Sequence, residues 1–423
     1  MAETGISAHQ NAVIHDRSDS EQVVVPWALP HIRLQVVARV AVCVLIAGCA
    51  NDTAPPRVDP IATTAAAPLD LDAERELLDE FARELVAETQ SAGGIVALRH
   101  GSGDPTVVVS GATGGEPPTE LSETAAWHVA SVTKSYTAAL AVSFASQGLL
   151  DLDVPIERYI AFPRGETLTL RQILTHTSGI AGFGDVSDTS SAAMPYILDF
   201  ERAYTTEEAI AAIAELPPLA TAGTSTHYSN ANYMLAGAIL ERVGGAPLGD
   251  LFAEHLFSPA GLRRTWYPTS GPAGPPAAVG LDDLGDGAVL ASDALPLTSL
   301  LTLLGPSTAA VSDVTDLFRW ADIVLRTRQL GDIDLSAMSV IQPGGYGLGV
   351  AGVTAREGTC VFDGCPANAS FERLNLAGDI PGASTRVWYD PATDVTLLVY
   401  LNRNSLELDA LMAAFLKRLS AAS

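Results

Sequence analysis

Positive charge is scarce in this chain. Its 423 residues include 24 lysines and arginines against 49 aspartates and glutamates, which gives a net charge of −25 at pH 7. A strongly acidic surface repels polyanions, and the sequence contains no run of basic residues that would bind nucleic acid or an anionic lipid surface. We therefore expect no nucleic-acid partner. Separately, a chain of this length can bury a sizeable core.

Long apolar runs are also missing. An early apolar stretch, residues 40–47, is too short to span a bilayer and ends close to Cys49. It predicts an export signal over residues 1–48, because Ile46-Ala47-Gly48-Cys49 is similar to a bacterial lipobox, in which the cysteine becomes the lipidated first residue. The leader before this stretch is longer than such signals usually have. An uncleaved anchor or a soluble apolar tail is the alternative.

The segment after the predicted signal, residues 49–70, is rich in proline, alanine and threonine and has no apolar periodicity. Such a composition predicts a flexible tether. We expect it to join a folded domain, residues 71–423, to a lipid anchor at the outer face of the cytoplasmic membrane, or to precede that domain in a secreted protein.

Cysteine is rare as well. Cys43 lies in the predicted leader and Cys49 directly after it, which leaves only Cys360 and Cys365 in the predicted domain. In an exported protein these two are expected to form a disulfide, because the four residues between them include Asp363-Gly364, which favours a turn. A metal site is the alternative, but no histidine accompanies the pair. We predict no metal and no organic cofactor.

Lysine is the rarest basic residue, since only Lys134 and Lys417 occur among the 24 basic side chains. Arginine cannot be deprotonated in a protein, whereas a buried lysine can lose its proton. Lys134 follows Ser131 by three residues, so on a helix the two side chains would share one face. This arrangement predicts a serine nucleophile with an amine base beside it. Taken alone, a Ser-x-x-Lys sequence also occurs by chance.

Two further segments supply the partners that such a nucleophile needs. Tyr228 and Asn230 are two residues apart just before a predicted helix, so their side chains could point the same way. Either Lys134 takes the Ser131 proton as a neutral amine, or its charge stabilises Tyr228 as a phenolate base, and the sequence leaves both open. Asn230 would orient the lysine or hold a substrate amide.

The third segment is a predicted strand that contains Gly378. Glycine there would let a substrate approach the backbone closely, and the N–H groups of Asp379 and Ser131 would bind an oxyanion. By contrast, His176 and Ser178 are too close in sequence to form a catalytic pair with a positioned third member. We interpret His176 as structural.

The periodicity of the chain predicts an α+β fold. A helix over residues 71–90 precedes strands over 94–99 and 106–111, and a mostly helical region follows over about 135–340. Strands return over residues 370–376, 385–389 and 396–401, before a closing helix over 406–420. We therefore expect an antiparallel sheet built from both ends of the chain, flanked by helices in an α/β sandwich, with a helical middle subdomain.

The order and spacing of Ser131-Val132-Thr133-Lys134, Tyr228-Ser229-Asn230 and the Gly378 strand resemble the serine β-lactamase and D-alanyl-D-alanine carboxypeptidase superfamily, especially its class C type. Segments 170–180 and 346–349 agree, and the likeness covers about residues 72–420. The resemblance implies a serine hydrolase that acts on an amide or ester through a Ser131 acyl-enzyme. It also implies a small-molecule or peptidoglycan-derived substrate.

One residue departs from that resemblance. Leu376 stands where the superfamily usually has lysine or histidine, which binds the carboxylate of penicillins and D-alanyl peptides. Uncharged esters or amides are then expected to be better substrates, unless Arg373 or Arg386 restores the charge or a bulge brings Asn375 into the position. A catalytically silent wall-binding lipoprotein that kept the fold is the alternative to an enzyme.

Overall fold

We analysed a computed structural model of the full chain. The structure describes residues 11–15, 22–26, 70–115, 117–182, 201–268, 280–285, 288–291, 298–354, 358–359, 369–405 and 407–422. Cys49, Cys360 and Cys365 lie outside the described residues, so the lipidation and the disulfide stay predictions.

A seven-stranded sheet forms the centre of the fold. Its strand order is β4-β3-β5-β6-β7-β1-β2, and every neighbouring pair is antiparallel. The strands are β1 (Gly93–His100), β2 (Thr106–Gly111), β3 (Ala351–Thr354), β4 (Gly358–Thr359), β5 (Phe371–Ile380), β6 (Ala383–Asp390) and β7 (Val395–Leu401). Because β7 pairs with β1, the sheet joins both ends of the chain, which confirms the predicted architecture.

Two terminal helices cover one face of this sheet. Helix α1 (Leu71–Thr89) and helix α4 (Leu408–Ala422) pack on each other, with the rings of Phe81 and Phe415 stacked 4.2 Å apart. Their apolar side chains form a core with Val96, Leu98, Trp388, Leu397 and Val399 of the sheet. The helix predicted over residues 71–90 is therefore present, and its apolar side chains bury one face against the sheet.

The other face of the sheet supports the helical region. Helix α2 (Thr133–Ser146) is buried on all sides from Thr133 to Phe144, so it is the axis of this region. Helix α3 (Asn230–Gly244) packs on it. Other helical segments are Ile156–Arg158, Leu170–Leu174, Thr206–Ala214, Leu248–Phe252, Ala253–Phe257, Ser258–Ala260, Thr298–Leu303, Gly305–Thr308, Val314–Ala321, Asp322–Thr327 and Ser336–Ser339.

Some elements differ from the sequence prediction. The helix expected from residue 131 begins instead as a 3₁₀ turn, Ala130–Val132, and only then becomes α2. A four-stranded antiparallel sheet, unpredicted, has the order Gln22–Pro26, Asn11–His15, Ala288–Ala291, Leu281–Gly285, so two of its strands lie within the predicted export signal. Further short strands are Ala126–His128, Val311–Asp313, Gln329–Leu330 and Ile333–Asp334.

None of the helices in the described part of the chain combines the length and the apolar character that crossing a bilayer requires.

Candidate active site

Ser131 lies in the 3₁₀ turn between a short strand and α2. The preceding residue, Ala130, has a φ of 48°, in the left-handed region that non-glycine residues rarely adopt. Strain of this kind persists only where the surroundings enforce it, and it is often found at active sites. The turn presents Ser131, which is partly exposed, above the buried first turn of α2.

Lys134 is fully buried beneath this serine. Its Nζ lies 2.9 Å from Ser131 Oγ, 2.6 Å from Asn230 Oδ1 and 3.2 Å from the Ser307 carbonyl oxygen. Burial holds the pKa of Lys134 well below its ordinary value. A neutral amine has two N–H groups and one lone pair, so it can donate to Asn230 and Ser307 while accepting from the Ser131 hydroxyl. The three contacts fit the amine as well as the ammonium, and it is burial that favours the deprotonated lysine.

Tyr228 contacts the same serine. Its hydroxyl hydrogen-bonds to Ser131, and Lys134 Nζ lies 4.8 Å from its ring centroid. Burial raises the pKa of Tyr228 above its ordinary value, with Asp379 adding to the rise, and the hydrogen bond with Ser131 only partly offsets it. Of the two bases left open by the sequence, the neutral lysine is favoured over the phenolate. Tyr228 is then a proton donor or relay.

His176 fixes the segment that carries Tyr228 and Asn230. Its Nδ1 accepts hydrogen bonds from the Ser229 backbone N–H and from the Asn232 side-chain amide, both at 3.1 Å. Its ring packs 4.3 Å from that of Tyr228. Burial holds the pKa of His176 well below its ordinary value, so the ring stays a neutral acceptor. The geometry matches the structural role predicted for His176.

Two other histidines flank the site, and neither points to a different chemistry. His128 is partly buried, and burial lowers its pKa. Nε2 of His227 is hydrogen-bonded to the Ser225 hydroxyl, at a distance of 2.8 Å. Within the described residues, no group of histidine, cysteine, aspartate and glutamate side chains is arranged to hold a metal.

Ser307 is a site residue that the sequence analysis missed. Its carbonyl oxygen accepts from Lys134, and the turn that carries it is tied to α2 because Thr137 donates to the Pro306 carbonyl at 2.7 Å. The role belongs to a backbone atom, which leaves no residue-type signal. Only the Gly305-Pro306 pair, which marks a turn, indicated a break in the helical pattern.

Strand β5 passes directly beside the nucleophile at Gly378. A Cβ added to this residue would collide with the Val129 carbonyl oxygen and lie 2.8 Å from the Ser131 nitrogen. Only glycine permits this approach. Glycine is therefore required here by the nucleophile turn, and the close approach of a substrate at Gly378 stays a prediction.

The direction of the Asp379 N–H follows from the hairpin that joins β5 to β6. A two-residue turn separates Ile380 from Ala383, and these two face each other as the last pair of the ladder. They must therefore exchange both backbone hydrogen bonds, and the next residue along β5, Asp379, directs its N–H away from β6. Since, among the described strands, β3 pairs with β5 only as far as Asn375, that N–H points to an edge without a ladder partner. It is a suitable oxyanion donor together with Ser131.

The structure does not restore the charge missing at Leu376, which is buried in the core. Arg386 is ion-paired with Asp379 at 3.0 Å and with a second carboxylate on α4, and Arg373 pairs with Asp390 at 3.1 Å. The β5–β6 register runs without a shift, so no bulge replaces Leu376 by its neighbour. All three predicted substitutes are wrong, because both arginines are ion-paired and the β5–β6 register is regular from Leu374 to Ile380.

Comparison with known proteins finds related sequences and a shared fold. The esterase EstB of Burkholderia gladioli is 28% identical over 164 residues, 36% of this chain and 41% of that protein. Protein Rv1367c of Mycobacterium tuberculosis is 31% identical over 165 residues, 35% of this chain and 40% of that protein. The aligned region thus spans about two fifths of each relative.

The D-amino acid amidase of Ochrobactrum anthropi SV3, solved with L-phenylalanine amide, superposes with a TM-score of 0.66 at 21% identity, covering 83% of this chain and 99% of that one. This likeness shows the fold. The sequence model of the family described as Beta-lactamase matches residues 78–422, which is most of the chain. The chain therefore belongs to the beta-lactamase family.

Proposed function

We propose that the protein is a serine hydrolase that cleaves an amide or ester through an acyl-enzyme at Ser131. The observation that carries this proposal is the set of contacts around Lys134 Nζ, with Ser131 Oγ at 2.9 Å and Asn230 Oδ1 at 2.6 Å. Lys134 takes the hydroxyl proton while Ser131 Oγ attacks the carbonyl carbon. The N–H groups of Ser131 and Asp379 bind the oxyanion.

The proton then has a short path to the leaving group. Because the Tyr228 hydroxyl bonds to Ser131, it can pass a proton to the departing nitrogen or oxygen and regain one from Lys134. A water molecule next attacks the acyl ester and gives its proton to the same pair of groups. Ser131 leaves with a proton, and the acid product is released, which restores the starting state.

The charges near β5 favour substrates without a carboxylate beside the scissile bond. Leu376 carries no charge, and the Arg386 guanidinium is already paired with two carboxylates. A charged hydrogen bond to a carboxylate is worth about 1.5 to 3 kcal/mol, so penicillins and D-alanyl peptides lose roughly ten- to a hundredfold in binding. Short uncharged esters and amides are the substrates we propose.

Intact-protein mass spectrometry after exposure to a fluorophosphonate tests the acyl-enzyme proposal. We expect one adduct on wild type, mapped to Ser131, and none on Ser131→Ala. Tyr228→Phe removes only a hydroxyl and keeps the ring against His176, so it should fold normally and react more slowly. A folded wild-type protein that refuses fluorophosphonates, phenyl esters and penicillins alike would contradict the proposal.

Leu376 also motivates a second candidate, a wall-associated lipoprotein that binds ligand without turnover. Multiple turnovers of a p-nitrophenyl ester by wild type, absent in Ser131→Ala, would exclude it. For either candidate we propose export and lipid anchoring at Cys49, supported by the sequence of residues 46–49. Incorporation of labelled palmitate in a bacterial host, lost in Cys49→Ala, is the result expected.

A further inference from the structure

The oxyanion segment of β5 lies at a half-paired edge of the sheet. Beyond Asn375 it loses β3 as a partner, so among the described strands its ladder runs only to β6, while Gly378 packs on the nucleophile turn. A strand that is paired on one side is less restrained than one in the middle of a sheet. An oxyanion donor must nevertheless be fixed within a fraction of an ångström. Side-chain contacts can add the directional restraint that the missing β3 ladder would have given.

The side chain of Asp379 provides such a contact. Arg386 on β6 reaches both of its carboxylate oxygens, with distances of 3.1 Å to Oδ1 and 3.0 Å to Oδ2. Ser384 donates to the same carboxylate at 2.7 Å, and its own hydroxyl oxygen accepts from the Ser405 backbone N–H at 3.0 Å. Three donors therefore hold the side chain of the residue whose backbone N–H faces the open edge.

Arg386 is itself anchored outside the hairpin. Its Nε donates to Asp409 in the first turn of α4 at 2.8 Å, and its Nη1 donates to the Thr385 carbonyl at 3.0 Å and approaches the Gly378 carbonyl at 3.4 Å. With only 6% of its surface exposed, this side chain has little freedom to move. The fork geometry of a guanidinium allows one group to join the two strands and the helix.

Stability alone is a weak explanation for this cluster. Removing two carboxylates and a guanidinium from water has a cost that their attraction often only offsets, so apolar side chains could hold the hairpin as firmly. What charged hydrogen bonds add is direction. We propose that Arg386 is a positioning residue, which sets the orientation of the Asp379 N–H in the oxyanion site by tying this strand to α4. This inference rests on the proposed function.

The test compares Arg386→Met and Asp409→Asn with a matched control, Arg373→Met. Arg373 makes the same kind of ion pair between the same two strands, at 3.1 Å to Asp390, but lies five residues before Gly378. Turnover of p-nitrophenyl acetate gives kcat and KM separately. Amide hydrogen exchange of the peptide covering residues 376–387, followed by mass spectrometry, reports the order of the hairpin without requiring activity.

We expect kcat of Arg386→Met to fall by about 10- to 100-fold with KM changed less than about threefold, because a displaced donor weakens the transition state more than the bound ester. Asp409→Asn should show a smaller fall of the same kind. Both variants should speed exchange in the hairpin, whereas Arg373→Met should change neither kcat nor exchange there.

Equal kcat in Arg386→Met and Arg373→Met, or a rise in KM that accounts for the whole loss, would overturn the inference. If Arg386→Met does not fold, Asp409→Asn decides, because it leaves the Asp379–Arg386 pair intact. If wild type reacts with no fluorophosphonate, phenyl ester or penicillin, the proposed function fails. Unchanged exchange in the hairpin of Asp409→Asn would separately refute the positioning role of Arg386.

Discussion

Replacing Lys134 by arginine separates a proton acceptor from a mere positive charge. Arginine supplies a permanent positive charge and hydrogen-bond donors, but its guanidinium cannot lose a proton and so offers Ser131 no lone pair. In the structure Lys134 Nζ contacts two acceptors and one hydroxyl, and that hydroxyl needs the lone pair. General-base catalysis contributes about 10²- to 10⁴-fold, which at 1.36 kcal/mol per tenfold is about 3 to 5 kcal/mol. Lys134→Arg should lose acylation by that factor.

The chain supplies its own control for this experiment. Lys417, the only other lysine, is exposed on α4, so Lys417→Arg should acylate at the wild-type rate and keep the wild-type Tm. The assay is the pseudo-first-order rate of adduct formation with a fluorophosphonate, measured by intact mass. Lys134→Met, which removes a buried amine, should be at least as stable as wild type and equally inactive.

The pH profile gives the same test without a mutation. The reactive form has a neutral Lys134, whose pKa burial holds well below its ordinary value of about 10.4. The rate should therefore rise as the amine loses its proton and reach its plateau at a pH well below the ordinary pKa of lysine, with the fall on the acid side. A phenolate base with the raised pKa of Tyr228 would instead make the rate climb above pH 10. That climb, or wild-type acylation by Lys134→Arg, would refute the reasoning.

The remaining predictions concern the neighbouring contacts. In His176→Asn, asparagine tolerates the left-handed φ of 59° at this position, but the ring nitrogen that accepts from two buried N–H groups is lost. The free energy of unfolding, measured by urea titration, should therefore fall by about 2 to 4 kcal/mol. Leu376→Lys should raise acylation by penicillin relative to a phenyl ester about tenfold or more, whereas Leu374→Lys, also in β5, should not. Gly378→Ala should abolish acylation by displacing the nucleophile turn, while Gly148→Ala, strained in φ but with open space around it, should only lower Tm. Normal acylation by Gly378→Ala, or penicillin reactivity unaffected by Leu376→Lys, would contradict these readings.

Much of the fold was predictable because its elements carry strong local signals. The apolar stripe of α1 and the β-rich ends of the chain placed the sheet and its covering helices to within a few residues. Ser131 and Lys134 could be identified because lysine is so rare in this chain. Tyr228 and Asn230 followed from their spacing and from the resemblance to a known superfamily.

The parts that could not be predicted depend on backbone atoms and long-range pairing. The Ser307 carbonyl beside Lys134 has no signal in residue type, and the left-handed turn at Ala130 is imposed by packing on β5. The choice between a lysine and a tyrosine base depended on burial, which one sequence does not reveal. The pairing of Arg386 with Asp379 and Asp409 joins residues 30 positions apart, beyond the reach of local patterns.

The claim on which the account depends is that Ser131 attacks a carbonyl carbon with help from a neutral lysine. Intact-protein mass spectrometry of rapidly quenched mixtures with a p-nitrophenyl ester, at neutral pH, measures this directly. We predict a mass increase equal to one acyl group on wild type, located at Ser131, and none on Ser131→Ala or Lys134→Arg. An acyl adduct on another residue, or an equal adduct on Lys134→Arg, would contradict the account.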